Sequence, residues 1–130
     1  MARFGTIAVE TDPEANVALW RGIRDAEALA PRAAVWRVHV RPSRAMAVLA
    51  DLPDHDLLMD WGGGLLWVGT DGDAAAMHAA LGAATAGQGG HARLVKGDAL
   101  PRHPESAPVA ALSESIRQRF DPKGVFGGGA

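Results

Sequence analysis

A chain of 130 residues is long enough for one packed core and too short for a nucleotide-binding domain plus a substrate domain. Thirteen Lys and Arg against 15 Asp and Glu leave a formal charge of -2, which gives no electrostatic grip on nucleic acid or anionic lipid. The absence of cysteine removes disulfides, iron–sulfur ligation, thiolate catalysis and cysteine-based zinc sites together.

In chain order, residues 4–9 read as a short leading strand. Asp12-Pro13-Glu14 then starts a helix, with Asp12 as cap and Pro13 at the first helical position, where its missing donor costs nothing. This helix is expected to run to about residue 29, with Ala15, Leu19, Ile23, Ala26 and Ala30 on one face and Trp20 beside them. Residues 35–41 alternate: Trp36, Val38 and Val40 point one way, Arg37, His39 and Arg41 the other, as in a half-buried strand. Pro42-Ser43 opens a short helix to about residue 52 that is expected to turn Met46, Leu49 and Ala50 inward, and Pro53 closes it.

Residues 55–61 and 65–70 read as two strands joined by Gly62-Gly63-Gly64, whose lack of Cβ atoms permits positive φ in a tight hairpin. Asp71-Gly72-Asp73 caps the next helix, with Met77, Ala80, Leu81 and Ala84 inward, and the glycines at 87, 89 and 90 break it. Residues 91–96 form a last strand, 97–106 a proline-containing connection, and Val109, Leu112, Ile116 and Phe120 mark a final amphipathic helix that Pro108 helps to start. The order from 35 to 96 is βαββαβ. It predicts an α+β fold, a ferredoxin-like sandwich with both helices on one face of an antiparallel sheet, plus N-terminal and C-terminal helices. One domain covers residues 1–126, and 127–130 are expected to be a disordered tail.

The sequence has no G-x-S-x-G, H-E-x-x-H or Walker signature, and no G-x-G-x-x-G between strand and helix. Gly62-Gly63-Gly64 is followed by a strand, so it reads as a turn and not as a phosphate cradle. The histidines at 39, 55, 78, 91 and 103 have no helical ligand spacing, and no metal site is expected. The richest constellation lies on the sheet face away from the helices. Arg37, His39 and Arg41 share it, and adjacent strands add Asp60, Leu65, Trp67, His91 and Arg93 by the same alternation. That face is either simply solvated or covered by another domain or a cofactor, since Leu65 and Trp67 would otherwise meet water. An arginine there can fork onto a carboxylate, and a histidine can exchange a proton near neutral pH. Trp20 and Trp61 are read as core or interface fillers.

Five segments carry a family resemblance: Leu19-Trp20-Arg21-Gly22-Ile23-Arg24, Trp36-Arg37-Val38-His39-Val40-Arg41-Pro42-Ser43, Asp60-Trp61-Gly62-Gly63-Gly64-Leu65-Leu66-Trp67, Gly89-Gly90-His91-Ala92 and Phe120-Asp121-Pro122-Lys123-Gly124-Val125-Phe126. In this order the chain resembles the C-terminal portion of the FAD-binding subunits of bacterial glycolate oxidases, within the FAD-linked oxidase family. That ending usually runs on into Asn-Pro-Gly-Arg, where this sequence has Gly127-Gly128-Gly129-Ala130, so contacts made there are not carried over.

The resemblance implies a flavoenzyme that oxidises a short 2-hydroxy acid such as glycolate with FAD as hydride acceptor. In it this chain would be the domain over the flavin and substrate side. The FAD-binding domain would lie N-terminal to this chain, which would be inactive alone. A second flavoprotein and an iron–sulfur protein would be partner subunits. Arg37 and His39 become the expected catalytic residues, and Arg41 and Trp67 the expected substrate- or cofactor-facing ones. The rival expectation is a noncatalytic ferredoxin-like module that dimerises through its open sheet or binds a small acid as a regulator. No apolar run spans a bilayer and no signal-peptide core follows Met1, so a cytoplasmic setting is expected, with any membrane association made through partner subunits.

Overall fold

The computed structural model describes residues 9–97 and 107–125. Residues 4–8 of the expected leading strand at 4–9, most of the 97–106 connection, and the tail at 127–130 lie outside them, and Val9 is not in a strand.

Asp12 caps α1 (Pro13–Arg24) as its sequence demands: its carboxylate accepts the Ala15 N–H at 2.7 Å, and Pro13 stands at the helix start. The helix stops well before residue 29. After Asp25 the chain turns through Ala26 at φ 50° and continues as a 3₁₀ turn, Glu27–Leu29. The turn buries Ala26 and Leu29, whereas α1 itself buries no residue and leaves Leu19 exposed. Gly69 makes this docking possible, because a Cβ there would stand 3.2 Å from the Leu29 side chain.

Four strands follow: β1 (Ala34–His39), β2 (Asp56–Asp60), β3 (Leu65–Thr70) and β4 (His91–Lys96). They form one sheet in the order β2-β3-β1-β4 with every neighbouring pair antiparallel. Between them come α2 (Ala45–Leu49) and α3 (Ala74–Ala86). The domain is therefore an α+β, ferredoxin-like βαββαβ sandwich, with helices α2 and α3 on one face of the sheet. Trp36, Val38, Leu66, Val68, Ala92 and Leu94 meet Val48, Leu49, Met77 and Leu81 there to make the core. Each fully buried large apolar side chain in it contributes roughly 1.5–3 kcal/mol. The polar atom of the Trp36 side chain is satisfied as well, since its indole N–H donates to His78 Nδ1 at 3.2 Å.

The short helix after β1 is rotated from the expected phase. Ala45, Val48 and Leu49 point inward, while Met46 is 71% exposed and Ala50 is exposed too. The cause is the 3₁₀ turn Pro42–Arg44 that precedes α2: its tighter winding advances the chain more per residue and changes which side chains meet the sheet.

The β2–β3 connection is the expected glycine turn, but the left-handed backbone begins one residue early. Trp61, Gly62 and Gly63 take φ of 54°, 61° and 94°, and Gly64 returns to -79°. The last helix, α4 (Ala107–Phe120), buries none of its residues, so the stripe of Val109, Leu112, Ile116 and Phe120 faces outward uncovered by the described residues. No helix among the described residues is long and apolar enough to cross a membrane.

Candidate functional site

Strand pairing alone brings the expected residues together. On the face away from α2 and α3, Arg37 of β1 stands between Trp67 of β3 and Arg93 of β4, and Leu58 of β2 lies beyond Trp67. One step along, His39 stands between Leu65 and His91, and Asp60 lies beyond Leu65. Arg37, His39 and Trp67 thus share one surface. Arg41 does not join them: it lies past the last residue of β1, at the start of the 3₁₀ turn, where its carbonyl accepts the Arg44 N–H at 2.8 Å.

This face is only partly open. The Glu27–Leu29 turn packs on β2 and β3, and α1 brings Trp20 and Ile23 opposite Arg37, Trp61, Leu65 and Trp67. The result is a cleft of about 460 Å³ between α1 and the sheet, lined also by Arg24 and Asp60. Trp20 and Trp61, expected as fillers, are 61% and 60% exposed; neither enters the core, and both wall the cleft. Alternation could not have found Trp61, because it belongs to the turn and not to a strand. A sequence signal was nonetheless present, in that Asp60 directly precedes it: the Asp60 carboxylate accepts the Trp61 N–H at 2.7 Å, and the Trp61 carbonyl accepts the Gly64 N–H at 3.1 Å.

Arg37 is held by aromatic faces and not by acids. Its guanidinium carbon lies 5.7 Å from the Trp61 ring centre and 5.6 Å from that of Trp67, both within cation–π range. Its Nε is buried and has no hydrogen-bond acceptor, and no carboxylate among the described residues pairs with it. The neighbouring Arg24 is different, being forked onto Asp25 through two bonds of 2.7 Å.

His39 completes the group. Its ring stacks on that of His91, with centres 4.9 Å apart and planes 15° from parallel, and meets the Trp61 ring edge-on at 5.6 Å. Burial, then the charge of Arg37, then His91 lower its proton affinity below the ordinary imidazole value. A neutral imidazole therefore sits beside a fixed cation. Together they can receive a carboxylate and accept a proton from a neighbouring hydroxyl.

A second cleft, of about 220 Å³, contains Arg32 with Asp54, Asp56 and Asp71, so its one arginine is outnumbered by carboxylates. Arg32 pairs with Asp56 and with Asp71 at 2.7 Å, and Asp71 also accepts the Ala33 N–H. It clamps the start of β1 to β2 and to the end of β3.

Fold and cleft thus define a ferredoxin-like α+β domain with a cleft between α1 and the sheet in which Arg37 is flanked by indole rings. Comparison with protein-family models, with curated proteins and with solved structures returned no match.

Proposed function

We propose that this chain is the substrate-side domain of a FAD-dependent 2-hydroxyacid oxidoreductase of the glycolate oxidase type, with the Arg37 face turned toward the reacting atoms. The observation that carries this reading is Arg37 itself, an arginine with a buried, unsatisfied Nε and no acidic partner among the described residues, clamped between two indoles next to a neutral imidazole. That Nε is sealed from water and hence from a guest oxygen, so a bound carboxylate would meet the part of the guanidinium that lines the cleft, where no protein acid is paired with it.

When bound, FAD supplies the acceptor for the hydride that leaves C2 as the 2-hydroxy acid becomes a 2-oxo acid. Arg37 would hold the acid's carboxylate in a fork, fixing which hydrogen faces away from the sheet. His39, kept neutral by burial and by Arg37, would take the hydroxyl proton. The face could border the reacting end of such a cofactor through Trp61, which is 60% exposed, while Arg37 occupies the indole faces turned toward it. It does not fit the phosphates. Helices α1 and α3 begin beside Asp12 and Glu14 and beside Asp73, carboxylates that repel a pyrophosphate where a helix dipole would otherwise attract it. In this reading a FAD-binding domain N-terminal to the chain holds the nucleotide, and a second flavoprotein and an iron–sulfur protein carry the electrons onward.

Calorimetric titration with FAD tests the division of labour: this chain alone should bind it weakly, and tight binding would overturn the reading. With a FAD-binding domain joined upstream, Arg37→Ala or His39→Ala should lower 2-hydroxy acid turnover by roughly a hundredfold or more while leaving the melting temperature nearly unchanged. Unchanged turnover with a large loss of melting temperature would assign both residues to structure.

A second reading rests on different features. The uncovered stripe on α4 and the position of β4 at the sheet edge suit a noncatalytic module that pairs with a second copy or answers to a small acid. It predicts a concentration-dependent dimer in sedimentation equilibrium.

A further inference from the structure

The cleft is built for more than a two-carbon acid. At about 460 Å³ it falls in the range that buries a drug-sized ligand, several times what glycolate would fill. Five of its eight lining residues are apolar: Trp20 and Ile23 from α1, Trp61 from the turn, and Leu65 and Trp67 from β3. Three of the chain's four tryptophans therefore face one cavity, and the fourth, Trp36, is the core residue. The charges are sorted to match. Arg24 is paired with Asp25, Asp60 keeps its negative charge while one of its oxygens accepts the Trp61 N–H, and Arg37 has no acidic partner among the described residues. One cation at the floor and indoles on facing walls suit a small anion that carries an aromatic ring.

We infer that the preferred ligand of this face is an aryl-substituted 2-hydroxy acid of the phenyllactate kind, its carboxylate on Arg37 and its ring between Trp20 of α1 and Trp67 of β3. The inference rests on the reading of Arg37 as a carboxylate receiver and adds the substrate class. Moving a phenyl ring from water to such walls is favourable through both apolar burial and ring–ring contact. Binding should therefore be at least about tenfold tighter for phenyllactate than for lactate, which shares the headgroup and lacks the ring.

The test is an NMR titration of the full chain with each acid, following the indole N–H and arginine Nε–H signals. The expected result is that both acids shift the Arg37 signal and that phenyllactate binds at least about tenfold tighter and also shifts the Trp20 and Trp67 indoles. Trp20→Ala lies on a helix that buries no residue, so the fold should tolerate it; it should weaken phenyllactate far more than lactate and so remove most of the phenyllactate advantage. Arg37→Gln should weaken both acids equally. If lactate and phenyllactate bind alike, or Trp20→Ala leaves their ratio unchanged, the aromatic preference is wrong and Arg37 still stands as a carboxylate receiver. If neither acid moves the Arg37 signal, that receiver role fails and the substrate class falls with it.

Discussion

Arg37 and His39 owe their properties to position in the sheet. Both sit on β1, which is paired on both sides, so the backbone that carries each is flanked by two strands. For His39 this has a measurable consequence in pH. Its folded-state proton affinity is lowered by burial, Arg37 and His91, while in the unfolded chain it returns to an ordinary pKa of about 6.5. The unfolded chain thus takes up the proton first as pH falls. Above that value His39 adds no pH dependence to stability; below it stability declines, until the folded imidazole is protonated as well. An NMR titration should show a His39 midpoint below that of an ordinary imidazole, and Arg37→Gln should move it upward. A midpoint at the ordinary value would remove the neutral base from the proposed chemistry. At this scale the sequence was informative: period-two alternation separated Trp36, Val38 and Val40 from Arg37 and His39, because a strand with one buried face admits a single register. Trp61 was illegible by that rule. Its position depends on three successive left-handed residues, only two of which are glycines.

Among the elements, β4 is held against β1 by a missing side chain. A Cβ on Gly90 would lie 2.4 Å from the His39 carbonyl oxygen, a backbone atom that cannot step aside. Gly90→Ala should therefore push the start of β4 outward, cost roughly 1–3 kcal/mol in denaturant unfolding, and separate the His39 and His91 rings. Gly82, inside α3 with open space for 4 Å around the place a Cβ would take, is the matched control: Gly82→Ala should stabilise by about 0.5–1 kcal/mol. Equal effects at the two positions would show that helix propensity and close approach are not what separates them. The elements also show where pattern reading fails. Asp12, Pro13 and Asp73 announced their helix starts correctly, since caps are local chemistry. The end of α1 was hidden because it falls at Ala26, which takes φ 50° although alanine carries no left-handed preference. The phase of α2 was hidden by the 3₁₀ turn before it, a winding that leaves no periodic trace in three residues.

For the molecule as a whole, the core is complete without the last helix. The βαββαβ unit holds every residue of the hydrophobic cluster, and α4 buries none. A chain ending at residue 106 should accordingly keep the melting temperature of the full sequence to within a few degrees and retain the dispersed amide spectrum of a packed domain. A large drop would mean that α4 contributes to the fold after all. The global architecture was readable because local signals agreed on it: alternation, caps and glycine breaks came in an order that one layered fold satisfies. The partial cover over the sheet was not readable, because nothing in residues 13–29 specifies which side of the sheet they will occupy.

That cover gives the cleft two kinds of wall. Its floor is the middle of a four-stranded sheet, where amides should be among the slowest in the molecule to exchange with solvent, whereas its roof is a helix with no buried residue, attached through a 3₁₀ turn. Ligand entry and departure should then be timed by the roof, so that substitutions along the outward side of α1 alter how long a guest stays while the geometry that recognises it is left intact.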